Sequence, residues 1–156
     1  MGGLKHDFHL LERSEFDYWD YSKIYNHPQA VQVHDELLRY INDSLKWIPC
    51  HFPQRRQELR ECKGLNLIGV TIIKEEGAAI AQAVFDLWAD LFTHGPAVLE
   101  LTGLWSWIDG EPMESGRYET IVEDRNELVS SLRQIARYAK HVSESCGRFY
   151  VLHMGI

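Results

Sequence analysis

Apolar residues recur along this chain with two different periods, and each change of period marks a new element. Val33, Leu37, Leu38, Ile41 and Leu45 repeat at three- and four-residue intervals, which predicts a helix over residues 28–47. Pro28 suits its first position, where the missing N–H has no helical partner anyway. Pro49 and Pro53 break the pattern. A short polar helix over 54–62 follows, closed at Gly64, which accepts the left-handed C-cap conformation. Residues 65–73 are apolar and β-branched and read as a strand buried on both faces. Residues 78–94 return to helical spacing: Ala78, Ala79, Ile80, Ala83, Val84, Leu87, Trp88, Leu91 and Phe92 cover most of the circumference. Gln82, Asp86 and Asp90 form one narrow polar stripe, so this helix is expected to be mostly buried with an acidic exposed edge. Gly95-Pro96 ends it. Residues 97–105 predict a second strand with Gly103 as a bulge or a point of close approach, 106–116 a loop, and 117–122 a third strand. Asp124, three residues before Glu127, caps a helix carrying Leu128, Leu132, Ile135, Ala139 and Val142, which Gly147 ends. Residues 148–153 give a last strand, and 1–27, aromatic and acidic without a period, are expected to be irregular. The result is one α+β (or α/β) domain over 1–156, a small mixed or antiparallel sheet of about four strands packed by three to four helices.

Composition fits such a domain. A chain of 156 residues with 45% hydrophobic and 25% charged content resembles soluble globular proteins. At this size folding buries roughly two thirds of the unfolded surface. Three cysteines, Cys50, Cys62 and Cys146, are odd in number and form no CxxC pair, which points to a reducing compartment and a cytoplasmic location. The first residues carry histidines and acids where a signal peptide needs an apolar run. No stretch approaches the roughly 20 apolar residues of a membrane span, so no membrane partner is expected.

Charge is distributed unevenly. Residues 75–116 contain no lysine or arginine and eight acids: Glu75, Glu76, Asp86, Asp90, Glu100, Asp109, Glu111 and Glu114. That stretch carries −8 against −7 for the whole chain, so the remainder sums to +1. A region of one sign attracts a partner of the other. Net acidity argues against direct nucleic-acid binding, which needs Lys and Arg to neutralise phosphates. The one dense basic run, Arg55, Arg56, Arg60 and Lys63, is interrupted by Glu58 and Glu61 and reads as a solvated helix face.

Signals of chemistry are sparse. His6, His9 and Glu12 share a three-residue spacing that would converge only on a helix, no second ligand pair accompanies them, and no metal is expected. Cys50 and His51 are adjacent, and neighbours rarely point the same way, so a structural cysteine is favoured over a thiolate beside its base. There is no phosphate-binding glycine loop and no Gly-x-Ser-x-Gly elbow. Hence no catalytic residue and no cofactor is assigned.

Two segments combine acids with large aromatics. Residues 16–25 include Asp17, Trp19 and Asp20, and residues 105–114 include Trp105, Trp107, Asp109, Glu111 and Glu114. Trp and Tyr anchor protein interfaces, and surrounding carboxylates steer a basic partner. Leu99-Glu100-Leu101-Thr102-Gly103, Gly116-Arg117-Tyr118-Glu119, the capped helix, and Tyr150 to Ile156 together resemble immunity proteins of bacterial polymorphic and contact-dependent toxin systems. The resemblance spans residues 99–156 and implies a small cytoplasmic protein that binds and blocks a cognate toxin domain. It transfers no site residue, because each such pair has its own interface. The charge pattern independently suits an inhibitor of a basic enzyme such as a nuclease. The expected docking surface is Trp105, Trp107, Asp109, Glu111 and Glu114, helped by Asp86 and Asp90, with Asp17, Trp19 and Asp20 as a further patch. Two alternatives stand beside it: a small enzyme with a pocket near Cys50 and His51, and a homo-oligomeric adaptor whose aromatics bury against a second copy.

Overall fold

Two long helices and a six-stranded sheet bury each other's apolar faces in a computed structural model that describes residues 3–27 and 30–156. In chain order the elements are β1 (Lys5–Glu12), β2 (Val31–His34), α1 (Asp35–Tyr40), α2 (Asn42–Leu45), β3 (Pro49–Gln54), β4 (Glu58–Lys63), β5 (Val70–Ile73), α3 (Glu75–Thr93), β6 (Val98–Ser106), β7 (Arg117–Asp124), α4 (Arg125–Glu144) and β8 (Phe149–Met154). The large sheet has the order β2-β1-β8-β5-β3-β4 with antiparallel neighbours throughout, while β6 and β7 form a separate hairpin. The class is α+β. Among the described residues no helix is long and apolar enough to cross a membrane.

Strand alternation sorts the sheet into two faces. Phe8, Cys50, Ile73 and Val151 meet Ala78, Ala81 and Phe85 of α3 and Leu132, Ile135 and Ala139 of α4 in the main core. Leu11, Ile72, Tyr150 and Leu152 point the other way, where Tyr18 and Ile24 from the segment after β1 cover them. The Tyr150 hydroxyl donates to the Phe16 carbonyl at 2.8 Å and ties that segment down.

Each long helix begins for a physical reason. The Asp124 carboxylate accepts from the Asn126 and Glu127 amides at 2.9 Å, satisfying two amides that α4 cannot satisfy itself. At the start of α3, Gly77 lets the helix touch β3: a Cβ there would stand 1.9 Å from the Pro49 carbonyl oxygen. Gly77→Ala is therefore expected to destabilise the fold by about 1–3 kcal/mol, although alanine favours helices over glycine by about 1 kcal/mol. Chemical denaturation checks this, and equal or greater stability of the variant contradicts the close approach.

The first half of the chain departs from the sequence-based expectation. Pro28 lies outside the described residues, and the single helix expected after it is instead β2, α1 and α2. Residues 1–27 are not irregular throughout, since 5–12 form β1. The polar helix expected over 54–62 is a turn followed by β4, with Cys50 opposite Cys62 and His51 opposite Glu61. The helical run does end before Pro49, as expected, and both Pro49 and Pro53 lie inside β3. Being four residues apart, they leave their missing N–H groups on one edge of the strand. The ladder to β4 is complete over six pairs, whereas the ladder to β5 has the single registered pair His51↔Ile72. That is the pattern expected when the proline edge faces β5. Residues 65–69 form a turn, and only Val70–Ile73 is strand.

Candidate functional site

The β6–β7 hairpin links the end of α3 to the start of α4. Its root is apolar on one side: Leu99 and Ile121 are buried, and Leu99 and Leu101 join the main core. The ladder slips between Thr102 and Trp105, so Gly103 and Leu104 form the expected bulge. Past the bulge Trp105 stands opposite Tyr118, with ring centroids 5.0 Å apart in a T-shaped contact. Gly116 makes room for the indole, since a Cβ there would lie 2.8 Å from Trp105 Nε1. The ring is thus seated on one side and open on the other.

The tip carries the rest of the segment. The Glu111 amide closes a turn onto the Ile108 carbonyl at 3.0 Å, with Gly110 at φ +91°. Trp105 and Trp107 are 42% and 49% exposed, and Ile108 and Met113 are more exposed still. Strand β6 ends at Ser106, so Trp107 belongs to the tip rather than sharing a strand face with Trp105. Asp109, Glu111 and Glu114 are exposed, and among the described residues no cation forms an ion pair with them. Exposed aromatics in one segment with carboxylates that carry no ion pair suit a basic, partly apolar protein surface. Tyr118 and Leu104 also belong to this surface. Alternation along each strand is the signal for both: Tyr118 follows Thr120 and Val122, and Leu104 follows Val98, Glu100 and Thr102.

The other expected acids lie elsewhere and are engaged. Arg133 of α4 donates to Asp86 at 3.3 Å and to Asp90 at 2.5 Å, and these bonds, Asp90 first, raise its own pKa. The acidic stripe of α3 therefore lies against α4 and is not the helix's one exposed edge. The open face of α3 holds Ile80, Ala83, Leu87 and Leu91 instead. Periodicity had suggested a mostly buried helix because it cannot distinguish a stripe facing core from one facing solvent. Asp17 accepts from the Tyr18 amide at 2.8 Å, and Asp20 pairs with Lys23 at 3.3 Å. Trp19 packs half-buried against the second core cluster, so it is not a free anchor.

A second constellation escaped the sequence reading. Beneath the helices, His6 Nε2 lies 2.9 Å from Asp35 Oδ1, His6 Nδ1 lies 2.8 Å from His153 Nε2, and His153 Nδ1 lies 3.3 Å from Thr71 Oγ1. The Asn66 amide donates to Thr71 Oγ1 at 2.8 Å, and Arg39 Nε donates to Asp35 Oδ2 at 2.6 Å. Asp35 only accepts, so His6 Nε2 must donate to it. With both rings neutral, His153 Nε2 then donates to His6 Nδ1, and the Thr71 hydroxyl donates to His153 Nδ1. Every atom is satisfied in that one arrangement. Burial, then the neighbouring His6, pushes the His153 pKa down to about 3. Burial raises the Asp35 carboxyl, but the bonds from Arg39 and His6 outweigh it and hold it below the usual range. His6, Thr71 and His153 have no exposed surface, so no substrate reaches the chain and its role is structural. His6 and His9 lie on opposite faces of β1, which removes the His6, His9 and Glu12 metal geometry. Among the described residues no group of three His, Cys, Asp or Glu could hold a metal ion.

A pocket of about 420 Å³ is lined by Cys50, His51, Glu61, Cys62, Lys63 and Glu76 with Pro49. Cys50 and His51 alternate across β3 and so point to opposite faces. Burial pushes the Cys50 thiol up to about 12 and that of Cys62 to about 11, the reverse of what a nucleophilic cysteine needs.

Fold and surface define the molecule as an antiparallel α+β domain with a projecting aromatic and acidic hairpin. No family model matches the chain, and neither a characterised protein nor a solved structure does.

Proposed function

We propose that this protein is a non-catalytic inhibitor that binds a basic protein partner through the β6–β7 hairpin, in the manner of the toxin-specific immunity proteins that residues 99–156 resemble. The observation that carries this reading is the tip itself, where Asp109, Glu111 and Glu114 form no ion pair among the described residues and share the segment with the half-exposed Trp105 and Trp107. A nuclease-type toxin domain is positive around its active site because its substrate is polyanionic, and an acidic tip with apolar anchors fits that site. Inhibition then requires only occlusion. The carboxylates speed encounter and the indoles slow release. Asp86 and Asp90, already bound to Arg133, contribute to the general field rather than to contacts.

The test is co-expression with a basic toxin domain encoded beside the gene. The wild-type chain is expected to restore growth. The triple variant Asp109→Lys, Glu111→Lys, Glu114→Lys is expected to lose protection and to associate at least about tenfold more slowly at low salt. All three side chains are exposed, so thermal melting should stay within a few degrees of wild type. Unchanged association in a folded triple variant removes the hairpin as the binding site.

A further inference from the structure

The open face of α3 points to a second contact, independent of the hairpin. Ile80, Leu87 and Leu91 are 39%, 66% and 59% exposed and form one stripe with the exposed Ala83. The stripe extends about 16 Å along the helix. Asp86 and Asp90, the acids beside it, share the single Arg133, so one of their two charges is already matched within the copy.

The stripe complements its own inverted copy. Laid antiparallel about a two-fold axis between Ala83 and Leu87, Ile80 meets Leu91 of the second copy, and the small Ala83 receives the second copy's Leu87. Large side chains then fill small positions, as ridges fill grooves in helix packing. A parallel arrangement would instead stack Leu87 on Leu87 and leave Ala83 facing Ala83.

The charges agree with the inverted arrangement. Arg125 at the start of α4 donates to the Gly95 carbonyl beyond the end of α3, and Gly147 beyond α4 lies against Glu75 at the start of α3. The two helices are therefore antiparallel, which sets Arg133 level with Asp86 and Asp90 and sets Arg137 one turn nearer the start of α3. Arg137 is exposed, and its guanidinium bonds to Gln134 rather than to an acid. The two-fold keeps both copies of α4 on the same flank and brings Arg137 of each copy opposite the other's Asp86 and Asp90. One arginine shared by two aspartates leaves a charge of −1 in each copy, and Arg137 of the second copy offsets it.

We propose that two copies of this chain pair through α3 in this antiparallel arrangement, leaving the hairpins free. Sedimentation equilibrium on the full chain is expected to give twice the monomer mass. Leu87→Glu is expected to raise the dimer dissociation constant at least about tenfold. Its side chain is exposed, so circular dichroism should show the wild-type fold. Arg137→Glu is expected to weaken the dimer most at low salt. A wild-type chain that stays monomeric at high micromolar concentration overturns the proposal. So does a dimer that survives Leu87→Glu but is broken by Trp105→Ala, because the contact would then be the hairpin.

Discussion

Replacing Asp35 by alanine is expected to remove about 3–5 kcal/mol of folding stability, the usual cost of leaving one partner of a buried polar pair behind. The carboxylate accepts from His6 on one oxygen and from Arg39 on the other. Without it, the His6 Nε2–H has no acceptor and no water, since the ring is fully buried. The disturbance extends further, because the proton arrangement of His6 fixes that of His153 and Thr71. Two controls separate these effects. Asp35→Asn keeps an oxygen that can accept from His6 and is expected to cost less than the alanine variant. Arg39→Ala removes only the outer, half-exposed pair and is expected to cost about 1 kcal/mol or less. Urea midpoints should therefore fall in the order Arg39→Ala, Asp35→Asn, Asp35→Ala, from mildest to worst. Equal effects for all three would contradict the chain of bonds.

Acidification is expected to destabilise the protein through His153 of the same chain of bonds. In the unfolded chain a histidine titrates near 6.5, whereas folded His153 stays neutral down to about 3. Between those values the unfolded state binds a proton that the folded state refuses, so stability falls as the pH falls. Full use of that difference removes about 1.4 kcal/mol per pH unit. Above about 6.5 the effect is absent. His9, on the opposite face of β1, is also pushed down, by burial first and then by His27 against the opposing pull of Asp7, and steepens the same slope. Denaturation at about pH 7, 6 and 5 measures it. A stability that stays flat across that range would falsify the assignment of His153 as a neutral buried ring.

The second half of the molecule was legible because its patterns are local. Asp124 caps α4 as its spacing to Glu127 predicted, Gly103 lies in the bulge, and β8 falls within one residue of expectation. The first half was not legible, because its strands violate the alternation rule for reasons that lie far away in sequence. On β1 the core-facing positions include His6, acceptable there only because His153 and Asp35 satisfy it across 147 and 29 positions. On β4 the charges of Glu58, Arg60, Glu61 and Lys63 imitate a solvated helix, but a charged edge strand guards against pairing with other chains. The site was partly legible. The acids of 105–114 are exposed as expected, whereas whether Trp105 and Trp107 face the core or solvent was open in the sequence, and both are exposed. Nothing near Asp86 or Asp90 in the sequence announces Arg133.

Strand β8, one of the two middle strands of the sheet and the neighbour of β1, also constrains how the molecule is made. During translation β1 leaves the ribosome long before β8 has been synthesised. Until then the sheet can exist only as two pieces, β2-β1 and β5-β3-β4, with nothing between them. Closing a loop of that length carries an entropic cost that only the finished centre repays. A nascent chain interrupted before β8 therefore lacks the strand that joins the halves, and His6 lacks its His153 partner. Folding must wait for the last element, so partial products are left to the cell's chaperones and proteases rather than accumulating as half-active binders.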